Sequence, residues 1–214
     1  PGIALLLTIV SINLLGDRLR DVLNPRLERS LMDGPVLSVT NLKTHFPTRA
    51  GLVKAVDSVS FEIGRGEVLG IVGESGSGKS VTGFSIMGLI DPPGEIVGGS
   101  IKLNGRELVG LAEKEMRALR GREVAMIFQD PMMTLNPVLR IDTQMIEAVT
   151  AHQSISEKAA RARAIETLSK VGIPSPAERL TSYPHQFSGG MRQRVAIAIA
   201  LLNSPALIIA DEPT

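Results

Sequence analysis

A chain of 214 residues with 43% hydrophobic side chains has enough apolar material for a globular domain with a sizeable core. Its 23 basic residues stand against 22 acidic ones, a formal net charge of +1, so no strong field recruits nucleic acid. The absence of cysteine excludes disulfides, thiolate metal sites and cysteine nucleophiles and fits a reducing compartment. Aromatic residues make up only 3%, which leaves few stacking platforms.

From Pro1 to Leu15 the chain is almost wholly apolar, and Arg18, Arg20, Arg26 and Arg29 follow it. A helix over Ile3–Leu15 would rise about 20 Å, against roughly 30 Å of hydrocarbon. A secretory signal would carry its basic residues before the apolar run, not after it. The expectation is therefore the end of a transmembrane helix with its basic flank on the cytoplasmic side; a buried core helix or a tag are the alternatives. Residues 30–35, Ser-Leu-Met-Asp-Gly-Pro, read as a linker.

Beyond the linker, Val36–Leu42 alternates, with Val36, Ser38, Thr40 and Leu42 on one face and Leu37, Val39 and Asn41 on the other. Lys54–Ile63 alternates likewise, and Ser100–Leu103 makes a shorter strand before Asn104-Gly105, so a small antiparallel sheet is expected. Val68–Val72 has the character of a buried parallel strand and Lys79–Leu89 that of a helix. Arg122–Phe128 predicts a second buried strand. Ile141–Val171 predicts a helical insertion with one stripe of Ala160, Ala164, Leu168 and Val171 and an i,i+4 pair of Glu157 with Arg161. Helix resumes over Met191–Asn203, and Ala206–Ala210 is a last buried strand.

Three stretches carry chemistry. Gly73-Glu74-Ser75-Gly76-Ser77-Gly78-Lys79-Ser80 satisfies G-x-x-x-x-G-K-[ST], a turn whose backbone N–H groups cradle phosphate oxygens while lysine adds a point charge. The plain alternative is a glycine-rich surface turn, but strand, turn and helix occur in the order a phosphate loop needs. Ala206–Ala210 delivers Asp211 and Glu212 at the end of an apolar strand, the edge at which open α/β sheets bind ligands. There Asp211, with the Ser80 hydroxyl, could anchor a magnesium ion on triphosphate, and Glu212 could polarise a water. Standing alone, such a strand end is as often simply solvated. In Phe187-Ser188-Gly189-Gly190-Met191-Arg192-Gln193-Arg194, Ser188 suits an N-cap and the glycines open the first N–H groups of a helix to another molecule.

Taken together, Gly73–Ser80, Gln129, Ser188–Gly190 and Asp211–Glu212 resemble the nucleotide-binding domain of ATP-binding cassette (ABC) proteins. The resemblance implies an α/β P-loop NTPase fold with an antiparallel β subdomain and a helical subdomain, binding ATP with Mg2+. It gives Glu212 and Gln129 catalytic roles, and Ser80, Gln129 and Asp211 contacts to the metal. Nucleotide binding falls to Gly73 through Ser80 and to Asp211, with Phe46 in the place of the aromatic that stacks on adenine. A lone Phe after a strand is equally a core residue. Ser188, Gly189 and Gly190 would close over ATP held by the phosphate loop of a second such domain, so hydrolysis would need a dimer.

Phe128–Pro137 and Tyr183–Arg194 are similar to the ATPase subunits of oligopeptide, dipeptide and nickel importers. Pro1–Arg29 is similar to the cytoplasmic end of a permease subunit of the same importers. The implied organisation is a permease tail over 1–29, a linker over 30–35 and an ABC ATPase over 36–214. Within it the core and β subdomain would cover 36–128, the helical subdomain about 129–187, and the signature helix with the Asp-Glu strand 188–214. The resemblance further implies that the fold is incomplete at its C-terminal side, so that ATP binding is a firmer expectation than turnover. Its implied partners are a second ATPase domain, integral permease subunits and, indirectly, an extracytoplasmic solute-binding protein, on the cytoplasmic face of the cell membrane, with no nucleic acid. The alternatives are a fragment that binds ATP without hydrolysing it, or an ABC ATPase unconnected with transport.

Overall fold

A computed structural model describes residues 34–212. The expected transmembrane end, permease tail and most of the linker lie outside the described residues. Among those residues, no helix is long and apolar enough to cross a membrane.

Strands β1 (Leu37–Thr48), β2 (Gly51–Ile63), β3 (Glu95–Leu103) and β4 (Arg106–Glu107) form an antiparallel sheet in the order β2-β1-β3-β4. β1 does not keep the simple alternation its sequence suggests. Its register shifts between Val39 and Leu42, and Asn41 sits at φ 49°. This bulge inserts one residue and changes the parity of the strand. Leu42 and Thr44 thereby join Leu37 and Val39 among the buried residues, whereas Thr40 and Asn41 are exposed.

Helix α1 (Lys79–Met87) packs on β1 and β2. At that contact the Thr44 and Ser85 hydroxyls share a buried 2.8 Å hydrogen bond. Helix α2 (Glu113–Leu119) leads into β5 (Val124–Ile127), which pairs in parallel with β6 (Leu207–Ala210). All four residues of β5 are buried, as its unbroken apolar run requires. Leu37, Leu42, Ile86, Ile101, Leu119, Val124 and Leu207 belong to the core that joins these layers.

A second core is helical. α3 (Ile141–Thr150), α4 (Glu157–Lys170), the short α5 (Pro176–Arg179) and α6 (Gly189–Leu201) enclose Ile141, Met145, Ala160, Ala164, Leu168, Leu180, Val195 and Leu202. The expected helical stretch is thus two helices. The break falls before Ser156, whose hydroxyl accepts from the Ala159 N–H and caps α4. Arg161 departs from its expected partner: its guanidinium reaches Asp142, 3.1 Å away and nearly buried, rather than Glu157 on its own helix. A buried carboxylate gains more from that cation than an exposed one would. α6 serves both cores, with Val195, Ala198 and Leu202 in the helical one and Ala200 against Ala125 and Ile127 of β5.

One expected element is missing. Val68–Val72 has no regular secondary structure and joins no ladder among the described residues, and Val68 and Val72 are 94% and 95% exposed. A parallel strand is buried only when neighbours flank it and helices cover it, and no described strand pairs with this segment.

Candidate nucleotide site

The phosphate loop enters α1 through Gly78, which caps the helix in the left-handed region at φ 90°. A Cβ there would stand 2.2 Å from the Ala55 carbonyl oxygen of β2. Both the dihedral and the close approach demand glycine. With no side chain at the cap, the first N–H groups of α1 stay free for an anion, and the helix dipole favours negative charge at that end. Lys79, the first residue of α1, folds back over the loop and donates to the carbonyl oxygens of Gly73 and Glu74, both at 2.9 Å. Its ammonium is held at the loop by acceptors that a phosphate oxygen would replace.

β5 and β6 run in parallel and end together, which brings three further residues to the same edge. The Asp211 N–H donates to the Ile127 carbonyl at 2.9 Å, continuing the ladder one step past β6. The Ser80 hydroxyl donates to Asp211 Oδ1 at 2.8 Å across 131 positions of sequence. Gln129, two residues beyond β5, donates through Nε2 to Glu212 Oε2 at 2.9 Å. Glu212 itself takes φ 47°, a conformation that costs a residue with a Cβ energy and is found where the surroundings impose it. A cavity of about 170 Å³ has Lys79, Ser80, Asp211 and Glu212 at its polar end and Leu69, Ile71 and Ile209 among its apolar walls. That volume is smaller than a pocket enclosing a drug-sized ligand, so a nucleotide would rest on this edge rather than inside it.

Lys79, Ser80, Gln129, Asp211 and Glu212 are therefore gathered by hydrogen bonds and one cavity wall. The Phe46 ring edge abuts Gly94, where a Cβ would lie 2.3 Å from Phe46 Cε1 and close to Ile90. Ser188 caps α6 by accepting from the Met191 N–H at 3.3 Å, and Ser188, Gly189 and Gly190 are all exposed. They sit at the start of a helix anchored in the second core, and among the described residues no hydrogen bond joins them to the phosphate loop.

Two supports were not foreseen. Ala55 backs Gly78, and Gln144 of α3 organises the segment after Gln129. Gln144 accepts from the Asn136 N–H at 2.8 Å and donates to the carbonyls of Asn136 and Leu139, both at 3.0 Å. Neither has a short-range signal, because each partner lies several residues or a whole element away.

The family described as ABC transporter matches residues 56–214. The chain belongs to the ABC transporter family. Among curated relatives, it is 54% identical over 180 residues to the dipeptide transport ATP-binding protein DppD of Bacillus subtilis, covering 84% of this chain and 54% of that protein. It is 53% identical over 180 residues to the oligopeptide transport ATP-binding protein OppD of the same organism, covering 84% and 50%. The chain thus spans about half the length of the curated relatives it matches. Among solved structures, a dimer of the ATP-binding cassette MJ0796 in a post-hydrolysis state with ADP and Pi superposes with a TM-score of 0.75 at 28% identity, covering 83% of this chain and 74% of that one. The P-loop fold of the family is therefore the fold of this ABC chain.

Proposed function

We propose that this ABC chain is the ATP-binding, energy-coupling part of a membrane importer for short peptides. The observation that carries the reading is the convergence of Lys79, Ser80, Asp211, Glu212 and Gln129 on one sheet edge. The names of DppD and OppD support peptides as cargo.

Backbone N–H groups of the Gly73–Gly78 loop and the Lys79 ammonium bind the β- and γ-phosphates, once Lys79 has released the Gly73 and Glu74 carbonyls. The Ser80 hydroxyl and the Asp211 carboxylate, already 2.8 Å apart, are two hard oxygen donors that fit Mg2+, which when bound offsets the charge building up on the transferring phosphoryl group. Glu212 accepts the proton of the attacking water, and Gln129 holds that water in line. Ser188, Gly189 and Gly190 of a second copy offer free N–H groups to the γ-phosphate, as the dimeric state of the MJ0796 cassette supports by analogy. Met133 and Val138, 72% and 75% exposed, lie on the segment that follows Gln129 and form the surface for a permease subunit at the cytoplasmic face of the membrane.

The test is ATP hydrolysis by the assembled importer with and without peptide. Glu212→Gln is expected to lower the rate by about 100-fold or more while ATP still binds, and Lys79→Ala to remove binding. Unchanged hydrolysis in both variants would sink the mechanism.

A further inference from the structure

Asn203 lies two residues beyond the end of α6, where an asparagine would ordinarily serve its own helix terminus. Here its side chain is spent elsewhere. Nδ2 donates to the Gly121 carbonyl, in the turn that leads into β5, and to the Ala148 carbonyl of α3, both at 3.0 Å. Oδ1 accepts from Gln153 Nε2 at 3.0 Å, and Gln153 Oε1 in turn accepts from Arg163 NH1 of α4 at 2.8 Å. One carboxamide therefore uses both donors and its acceptor to tie the sheet core to two helices of the helical core. Gly121 is itself fixed to the sheet side, its N–H donating to the Val124 carbonyl at 2.8 Å.

We propose that Asn203 is a positioning residue that sets the angle of α6 against the sheet core, and through it the position of Ser188–Gly190 in a shared ATP site. The helix has the fastener at one end and Ser188 at the other. At 1.5 Å per residue its 13 residues make a lever of about 20 Å, so a tilt of about 5° moves the Ser188 end by roughly 2 Å. A displacement of that size is enough to lose hydrogen bonds to a phosphate, whose geometry tolerates only about 0.5 Å. Ala198 and Ala200 are small and make no directional contact, and the Arg194 guanidinium of α6 donates to the Gly172 carbonyl at 3.1 Å on the helical side, so neither gives α6 a directional bond to the sheet core. Asn203 supplies the directional bonds. The consequence for hydrolysis rests on the ATPase reading above; the consequence for the angle of α6 does not.

The experiment exploits the absence of cysteine. Spin labels on Lys158→Cys of α4 and Lys114→Cys of α2, both exposed, report the distance between the two cores by pulsed electron paramagnetic resonance, with no need for turnover. Asn203→Ala is expected to broaden or shift that distance distribution. In the assembled importer it is expected to lower kcat by about tenfold with KM for ATP within about twofold, because the phosphate loop is untouched. Asn203→Asp should behave like the alanine variant, since a carboxylate cannot donate to two carbonyls. Gln153→Ala removes the bond to Asn203 Oδ1 together with the one from Arg163 and leaves both Asn203 Nδ2 bonds in place; its smaller change in the same direction keeps the test decisive if Asn203→Ala fails to fold. An unchanged distance distribution in a folded variant, with lowered Tm alone, overturns the proposal. Absence of hydrolysis in the unsubstituted protein counts against the ATPase reading only, because the distance measurement still judges Asn203.

Discussion

At Gly78 the left-handed backbone and the Ala55 carbonyl act together, and the neighbouring Gly76 separates their contributions. Gly76 also has positive φ, 80°, but an added Cβ there meets nothing within 4 Å. Gly76→Ala should therefore cost only the conformational penalty, about 1–2 kcal/mol. Gly78→Ala adds a backbone collision that forces β2 and α1 apart, so its loss in urea unfolding should be at least twice as large and Mg-ATP should no longer bind. The spacing of the glycines pointed to the loop, but the reason Gly78 admits no methyl lies on β2, 23 positions earlier, where no local pattern marks it. Glu107 gives a second test at this scale. Burial pushes its carboxyl pKa up, but hydrogen bonds from the Ser100 hydroxyl and from the N–H groups of Ile101, Val109 and Leu108 together hold it below the usual glutamate value. A carboxylate with a depressed folded pKa stabilises the protein above its unfolded pKa, and that contribution is lost as pH falls through the folded value. Tm should therefore fall more steeply in the wild type than in Glu107→Gln between about pH 5 and pH 3. At pH 7 the substitution should cost on the order of 1 kcal/mol, after allowing for the solvent that partly screens this site.

Among the elements, α3 shows how a helix start is fixed by charge. The Asp142 side chain, 9% exposed, receives Arg140 at 2.7 Å and Arg161 of α4 at 3.1 Å, and it sits in the first turn of α3, where a negative charge also suits the helix dipole. Asp142→Ala leaves two half-buried guanidiniums without their shared partner and should cost about 3 kcal/mol in urea unfolding. Lys170→Ala breaks a 2.7 Å pair with Glu166 whose side chains are both about two-thirds exposed, and should cost less than about 0.5 kcal/mol. Periodicity located the helical stretch by the stripe that α4 buries but not the break that separates α3 from α4, and it offered Arg161 a partner on its own helix when the decisive one lies on another. The same limit explains β1: alternation located the strand, but the bulge at Asn41 that redirects Leu42 depends on two neighbouring strands. It also explains Val68–Val72, whose apolar run describes a strand in a complete sheet, whereas a ladder needs a partner that no local signal supplies.

For the whole molecule, the two cores meet along α6, so ligand binding at the sheet edge should be felt in both. β5 and β6 contribute Val124, Met126 and Leu207 to the first core, and Ser188–Gly190 begin a helix that packs Ala200 on Ala125 and Ile127 of β5 and Val195 and Ala198 into the second. The motifs were legible because each is contiguous in sequence, and their type suggested that Ser80 and Asp211 act together; the contact itself, across 131 positions, depends on α1 packing Gly83 against Ile209 of β6 and Met126 of β5, which no local pattern marks. Binding at 100 times the dissociation constant adds about 2.7 kcal/mol to stability. For a domain of this size, each kcal/mol moves Tm by about 2–4 °C, so saturating Mg-ATP should raise Tm by roughly 5–11 °C. Lys79→Ala should abolish the shift while leaving the ligand-free Tm within a few degrees, since its two bonds to the Gly73 and Glu74 carbonyls lie on an exposed loop. Two probes decide whether the cores respond as one: a fluorophore attached at Lys114→Cys in the first and another at Lys158→Cys in the second. Coincident transitions that move together on adding Mg-ATP mean that α6 and the Asn203 bonds transmit the stabilisation. A shift confined to the first probe would mean that the helical core unfolds independently of nucleotide, and that α6 divides the molecule rather than joining it.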